Sequence, residues 1–286
     1  MHDSLLHDLI DGIRAGDIAP YLGAGALRGV TDTVSGEAIP AQSEELILAL
    51  NNGQPMAPRL MYEFPRAAMH VELKRGRSTV NRFLTETYAN RSWTRSPLHA
   101  ALAELQAPYV IDINRDTQLQ ELYAGRPHLL IHGIARIGGT DFRYKLYRYD
   151  GSAYAEITTE EADPALPVLF KPMGSPTPEP SFIASDADYV DYITELMGGF
   201  AVPAFLKRRR EGLRYLFVGL RMLRDTERMV LSDLIYANAG EPAGWALIPE
   251  PTAKEERFCA RQGIEIVEAD TDDLLAAIEE TALAPA

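Results

Sequence analysis

The stretch Ile18-Ala-Pro-Tyr-Leu-Gly-Ala-Gly-Ala-Leu27 decides how the chain reads. Its first five residues are a short apolar run, which predicts a buried strand. The run leads straight into Gly23-Ala24-Gly25. Glycines just past a buried strand let the backbone turn sharply and come close to a ligand. The N–H groups of such a turn, and of a helix after it, suit a phosphate. An ordinary tight strand-to-loop turn would use the same residues. The dinucleotide fingerprint of dehydrogenases needs a third glycine three residues after the second, and Arg28 stands there, so that pattern fails.

Working outward, Leu5, Leu6, Leu9, Ile10 and Ile13 recur at helical spacing and predict an amphipathic helix over 4–15. Residues 28–42 are rich in Gly, Thr, Ser and Pro and read as a loop over the mouth of a site. Ser43 with two following glutamates starts a helix, and further helices are expected over 59–74, over 79–88 and from Pro97. A helical insertion over about 43–105 thus separates the first strand from the second. Tyr109 to Ile113 is that second strand, and Asn114-Arg-Asp116 follows it. Polar groups just past the carboxyl end of a parallel strand hold the usual ligand position, although Asn114 and Asp116 could equally cap the helix starting near Thr117.

His128 to His132 is a third strand. Alternation over 142–158 around Asp150-Gly151 predicts a β-hairpin insertion. Strands are also expected at 167–171, 213–219, 245–248 and 264–267. Helices are expected from Ser185, from Arg224-Asp225 to about Asn238, from the Thr252–Glu255 capping box, and from Asp270. Apolar strands alternating with helices predict one α/β domain over 1–286, a Rossmann-like parallel sheet with helices on both faces.

The 286 residues carry a net charge of −13, which argues against nucleic acid as a main partner because phosphate binding needs a positive footprint. The one basic cluster, Lys207 to Arg210, reads as the solvated end of a helix. Cys259 is the single cysteine, so intrachain disulfides and cysteine-built zinc sites are excluded. The six histidines show no metal-ligand spacing, and no metal site is expected. The polar, acidic N-terminus is unlike a signal peptide, no apolar run reaches membrane-span length, and a cytoplasmic location fits.

Glycine or polar residues end three strands in the order Gly23-Ala24-Gly25, Asp112-Ile-Asn114-Arg-Asp116 and Gly219 through Asp225. Between the last two come Lys171-Pro-Met-Gly174-Ser175 and Ser185-Asp-Ala-Asp188-Tyr189. In this order and spacing the chain resembles the sirtuin-like family of NAD-binding domains, over about residues 18–268. Its later half also resembles a bacterial branch encoded near nitrogen-fixation genes. The resemblance implies NAD or an ADP-ribose-type nucleotide bound across the carboxyl edge of the sheet. By position, Gly23, Ala24 and Gly25, with Ala26 after them, would approach the diphosphate. Asn114 and Asp116 would face the nicotinamide–ribose side, Gly174 and Ser175 would lie against the cofactor, and Gly219, Leu220 and Arg221 would approach the adenosine ribose.

The departures matter more. The family's proton-accepting histidine precedes a Gly-Ser pair, and here that place is Met173, whose thioether cannot serve as a general base. The two family serines are Leu27 and Arg221, and the four-cysteine zinc module is missing. His132, followed by Gly133, is the other candidate for the base beside Asn114 and Asp116, with a structural strand-end histidine as the favoured alternative. A nucleotide sensor or regulatory protein without zinc-dependent deacylase activity is therefore expected. An NAD hydrolase or ADP-ribosyl transferase using Asn114 and Asp116 is one alternative, and a scaffold that lost its ligand is another. Arg221 and Arg224 would be internal salt-bridge partners or phosphate holders. The acidic surface and the helices of 43–105 are the surfaces a partner protein would use.

Overall fold

A computed structural model describes residues 2–135, 141–235 and 242–283. The strand expected at 18–22 forms as β1 (Ile18–Leu22), the fourth strand of a nine-stranded sheet and the middle one of its seven parallel strands. On one side lie β2 (Tyr109–Asp112), β6 (Val168–Lys171) and β3 (His128–Gly133), then the hairpin β4 (Tyr144–Tyr149) and β5 (Tyr154–Glu156). On the other lie β9 (Arg214–Val218), β10 (Gly244–Leu247) and β11 (Ile264–Val267). Every pairing from β11 to β3 is parallel, and only the hairpin edge is antiparallel. Two residues each of β7 (Gly174–Ser175) and β8 (Ser181–Phe182) form a separate small ribbon.

Both faces of the sheet are covered, which is why its strands read as unbroken apolar runs. Tyr21, Ile111, Phe170 and Phe217 point to one face, where α7 (Asp186–Met197), α8 (Ala204–Arg209), α9 (Asp225–Ile235) and α10 (Ala253–Gln262) bury their apolar stripes. Leu22, Val110, Leu169 and Leu216 point to the other, covered by α1 (His2–Ala15), α5 (Pro97–Glu104), α6 (Gln118–Leu122) and α11 (Thr271–Leu283). The helical stretch between β1 and β2 divides in two. Its last helix, α5, joins the sheet-covering layer against α6 and α11, while α2 (Ser43–Leu50), α3 (Phe64–Arg75) and α4 (Arg77–Tyr88) share a cluster of their own around Ile47, Phe64 and Leu84. The helix read as running to Asn238 is described to Ile235, and 236–241 lie outside the described residues.

Pro20 stands inside the central strand, a place proline normally avoids because it has no N–H for the ladder. The register explains its tolerance. Leu22 presents its carbonyl to the β2 side, accepting from Ile113 N–H, and Gly23 turns its N–H to the β9 side. Backbone groups alternate along a strand, so position 20 faces β2, and that ladder begins only at Tyr21.

From β1 the chain moves outward through β2, returns at β9, and moves outward again on the opposite side. The β1–β9 border is therefore a switch point, where the connections leave a crevice beyond the carboxyl ends of the strands. Here the glycines act by letting two turns touch. Gly23 N–H donates to Val218 O (2.9 Å) and Gly25 N–H to Gly219 O (2.8 Å). A Cβ on Gly25 would stand 2.7 Å from Gly219 Cα. Gly219 has φ +66°, and a Cβ there would stand 2.5 Å from Ala26 N. Gly219→Ala combines a left-handed conformation with overpacking against backbone, so a loss of about 3 kcal/mol is expected in urea unfolding. An unchanged midpoint would remove the steric account.

Candidate functional site

A cleft of about 290 Å³ opens at the switch point. Ala24 lines it from the turn after β1, Asn114 and Arg115 from the loop after β2, Met173 from the end of β6, and Gly219, Leu220 and Arg221 from the loop after β9. Ala41 and Gln42 border it as well, so the 28–42 loop does reach the mouth. Gly23, Gly25 and Ala26 lie just behind the wall, with their N–H groups engaged by Val218, Gly219 and Gly23 carbonyls.

Asn114 is a brace. Its Nδ2 donates to Gly23 O (2.9 Å) and to Asp112 Oδ1 (2.8 Å), tying the end of β2 to the turn after β1. Asp116 sits deeper. Its Oδ1 accepts from Gln118 N–H (2.8 Å), a cap on α6, and its Oδ2 lies 3.7 Å from Lys171 Nζ. Gly174 and Ser175 are both buried in the β7–β8 ribbon, and Gly174 has φ +78° with Ser181 O where a Cβ would go. His132 is fully buried, and its Nε2 accepts from Ser175 N–H (2.6 Å). It fixes the ribbon from behind, outside the lining of the cleft.

Beneath the cleft is a buried charge network that single-residue reading does not anticipate. Lys171 Nζ donates to Asp112 Oδ2 (2.7 Å), and both side chains are shut off from water. His99 Nε2 lies 3.2 Å from the same oxygen, and His99 Nδ1 lies 2.8 Å from Ser96 Oγ. Ser96 Oγ–H donates to Ala26 O (2.7 Å), which returns the network to the turn after β1. Burial alone would raise the Asp112 carboxyl, but the Lys171 ammonium and His99 outweigh it and hold the group well below the usual range. His99, Asp112 and Asp116 gather ligand atoms within 4.8 Å of one another, although separations of 13 and 4 in sequence show no metal-ligand pattern. The Lys171 ammonium stands at both carboxylates and supplies the positive charge a metal would bring.

The two arginines expected beside the site part ways. Arg221 forms a two-pronged pair with Glu255 (Nε 2.8 Å, Nη2 2.9 Å), so it is an internal salt-bridge partner. Glu255 also completes the Thr252 capping box. Arg224 stacks over the Tyr62 ring (4.4 Å), lines the cleft and makes no ion pair among the described residues. Arg115 donates from Nε to Ile183 O (3.0 Å) and lies over Phe64. Asp188 accepts from the N–H groups of Ala184 and Ser185 and pairs with Arg77, fixing the start of α7.

Two tests follow from the buried groups. Lys171→Met leaves the Asp112 charge unpaired in the core and should cost about 3–5 kcal/mol in urea unfolding. The double change with Asp112→Asn should recover part of that loss. Burial pushes His132 down to about 4, whereas the unfolded chain takes up its proton near 6.5. The unfolded state therefore binds protons first, and stability falls as pH drops from about 6.5 to about 4. His132→Gln keeps an acceptor for Ser175 N–H. Between pH 7 and pH 5 the wild type should lose about 2 kcal/mol more than this variant, and equal losses would contradict the assignment.

Comparison with curated proteins gave no match. A SIR2-like domain is matched over residues 108–267, more than half of the chain, from β2 through β11. It covers Asn114, Met173 and the Gly219 loop, while the Gly23–Gly25 turn lies before it and joins them through the sheet. With the parallel sheet and the switch-point cleft in place, this chain belongs to the SIR2-like domain family.

Proposed function

We propose that the cleft binds NAD or an ADP-ribose-type nucleotide, and that the protein works as a sensor or regulatory protein rather than as a zinc-dependent deacylase. The observation that carries this reading is the shared cleft, in which residues from three neighbouring strand ends, Ala24, Asn114 and Gly219, meet at the switch point. Its chemistry fits a dinucleotide. The Arg224 guanidinium makes no ion pair among the described residues and can meet a diphosphate, apolar Leu220 and Met173 suit the flat faces of rings, and Ala24 opens the turn after β1.

NAD, when bound, supplies a nicotinamide leaving group on an electrophilic ribose carbon. The residues of this chain that meet that region hold rather than transfer protons. Met173 takes the place where the family has its proton acceptor, and a thioether does not accept a proton at neutral pH. The Asn114 amide is engaged on its donor side by Gly23 and Asp112. Asp116 is committed to the α6 cap and to the Lys171 charge. Cys259 is the chain's single cysteine and is buried, so the family's cysteine-built zinc module has no ligands here.

Isothermal titration with ADP-ribose, NAD and nicotinamide tests the reading. Heat is expected with the first two, and no nicotinamide should appear when NAD is incubated with the protein. Nicotinamide release that Asn114→Ala abolishes would instead establish a hydrolase or transferase. Silence with all three ligands would leave only a scaffold.

A further inference from the structure

Two carboxylates line the cleft without a hydrogen bond or ion pair among the described residues, the exposed Glu44 and the half-buried Glu227. Glu227 belongs to the first turn of α9. Behind it stands Glu63, the residue that opens α3, only 5% exposed and with an Oε1 that has no hydrogen-bond partner. Phe64 and Pro65, next to Glu63, line the same cleft. The charged and titratable groups around this pair come from four elements. Asp225 and Arg228 belong to α9, Arg66 to α3, Asp186 and Tyr189 to α7, and Tyr21 to β1, with Arg224 in the loop just before α9. None quenches the pair directly: Arg228 is turned to Asp225 and Arg224 to Tyr62.

A carboxylate accepts hydrogen bonds and, when ionised, donates none. Leaving one sheltered without donors is unfavourable. The donors that would complete Glu227 must therefore come from what enters the cleft. A diphosphate brings only acceptors and like charge. A vicinal diol brings two O–H groups spaced to reach both carboxylate oxygens. We propose that Glu227 is the ribose acceptor of the cleft, taking the 2′- and 3′-hydroxyls of a nucleotide with Glu63 as its backing charge. This rests on the nucleotide reading above and adds an orientation to it: the ribose lies toward α9 and α3, and the diphosphate toward Arg224.

A pH dependence comes with this role. Burial, and then repulsion from Glu63, raise Glu227 to about 7, and Glu63 is raised by burial as well. Hydroxyl donors favour the ionised carboxylate, so affinity should rise with pH through neutrality and binding should release a proton.

ADP-ribose titrated at pH 6 and pH 8, in buffers of different ionisation enthalpy, tests this. The wild type should bind about tenfold tighter at pH 8 and release protons at pH 6. Glu227→Gln should bind with the wild-type pH 6 affinity at both. ADP should be preferred over 2′-deoxy-ADP by the wild type and not by the variant. Glu63→Gln, which leaves the acceptor in place, should move the midpoint of the pH profile downward, and it decides the matter if Glu227→Gln does not fold. A Glu227→Gln protein that keeps both the pH profile and the preference for ADP overturns the ribose role while leaving nucleotide binding intact. So does an unmoved midpoint in Glu63→Gln. No binding of ADP-ribose by the wild type at either pH overturns both.

Discussion

The buried ion pair between Lys171 and Asp112 is the constraint on which the rest of the site depends. Each charge is strongly disfavoured in the core alone, and together they are tolerable only if the remaining oxygens and protons find partners. That requirement organises everything near it. The second Asp112 oxygen accepts from the Asn114 backbone and side chain, which aims Asn114 at Gly23. The shared oxygen takes His99, which positions Ser96 against Ala26. The turn after β1 is thus held at two carbonyls, Gly23 O and Ala26 O, from an ion pair that joins the next two strands, β2 and β6. A ligand in the cleft would rest against a turn whose shape is set from below.

The same network leaves little room for a further charge beneath the cleft. Beneath the floor each ionisable group already has a counter-charge or a hydrogen bond: Lys171 with Asp112 and Asp116, His132 with Ser175, Asp188 with Arg77. Met173 occupies the remaining position without a charge, next to residues that could not accommodate another one cheaply. An imidazolium there would stand two residues along the chain from the buried Lys171 ammonium, and like charges near a protein interior repel more strongly than in water. The thioether fits the electrostatics that the lysine imposes.

Much of this was legible in the sequence, for definite reasons. The sheet strands expected at 18–22, 109–113, 167–171 and 213–219 formed because strands buried on both faces must be apolar throughout, and because the glycine or polar residue after each marks its end. The capping box at Thr252 and the Asp188 cap at α7 were readable because caps use neighbours three residues apart. The division of the helices before β2 was not, since apolar periodicity tells that a helix buries a face but not which surface it meets. The β7–β8 ribbon was too short for alternation to register. His99, Asp112 and Lys171 come together only through parallel crossovers, so their spacing carried no signal. Glu227 was missed because a glutamate in the first turn of a helix is common for dipole reasons alone. The signal that could have raised it is its place eight residues after Gly219, on the helix that leaves the switch point.

Arg221 and Arg224 show how local geometry settles what composition leaves open. Both follow the same strand end and carry the same group. Arg221 is taken by Glu255, whose carboxylate is fixed by its capping duty to Thr252 and therefore always present. Arg224, three residues further along the loop, lies over a tyrosine face and makes no ion pair among the described residues. Stacking leaves the guanidinium hydrogens without an acceptor among the described residues, and a planar fork of donors beside a backbone turn is suited to phosphate oxygens. The cap of one helix, α10, thus determines which arginine of the neighbouring loop remains available to the cleft.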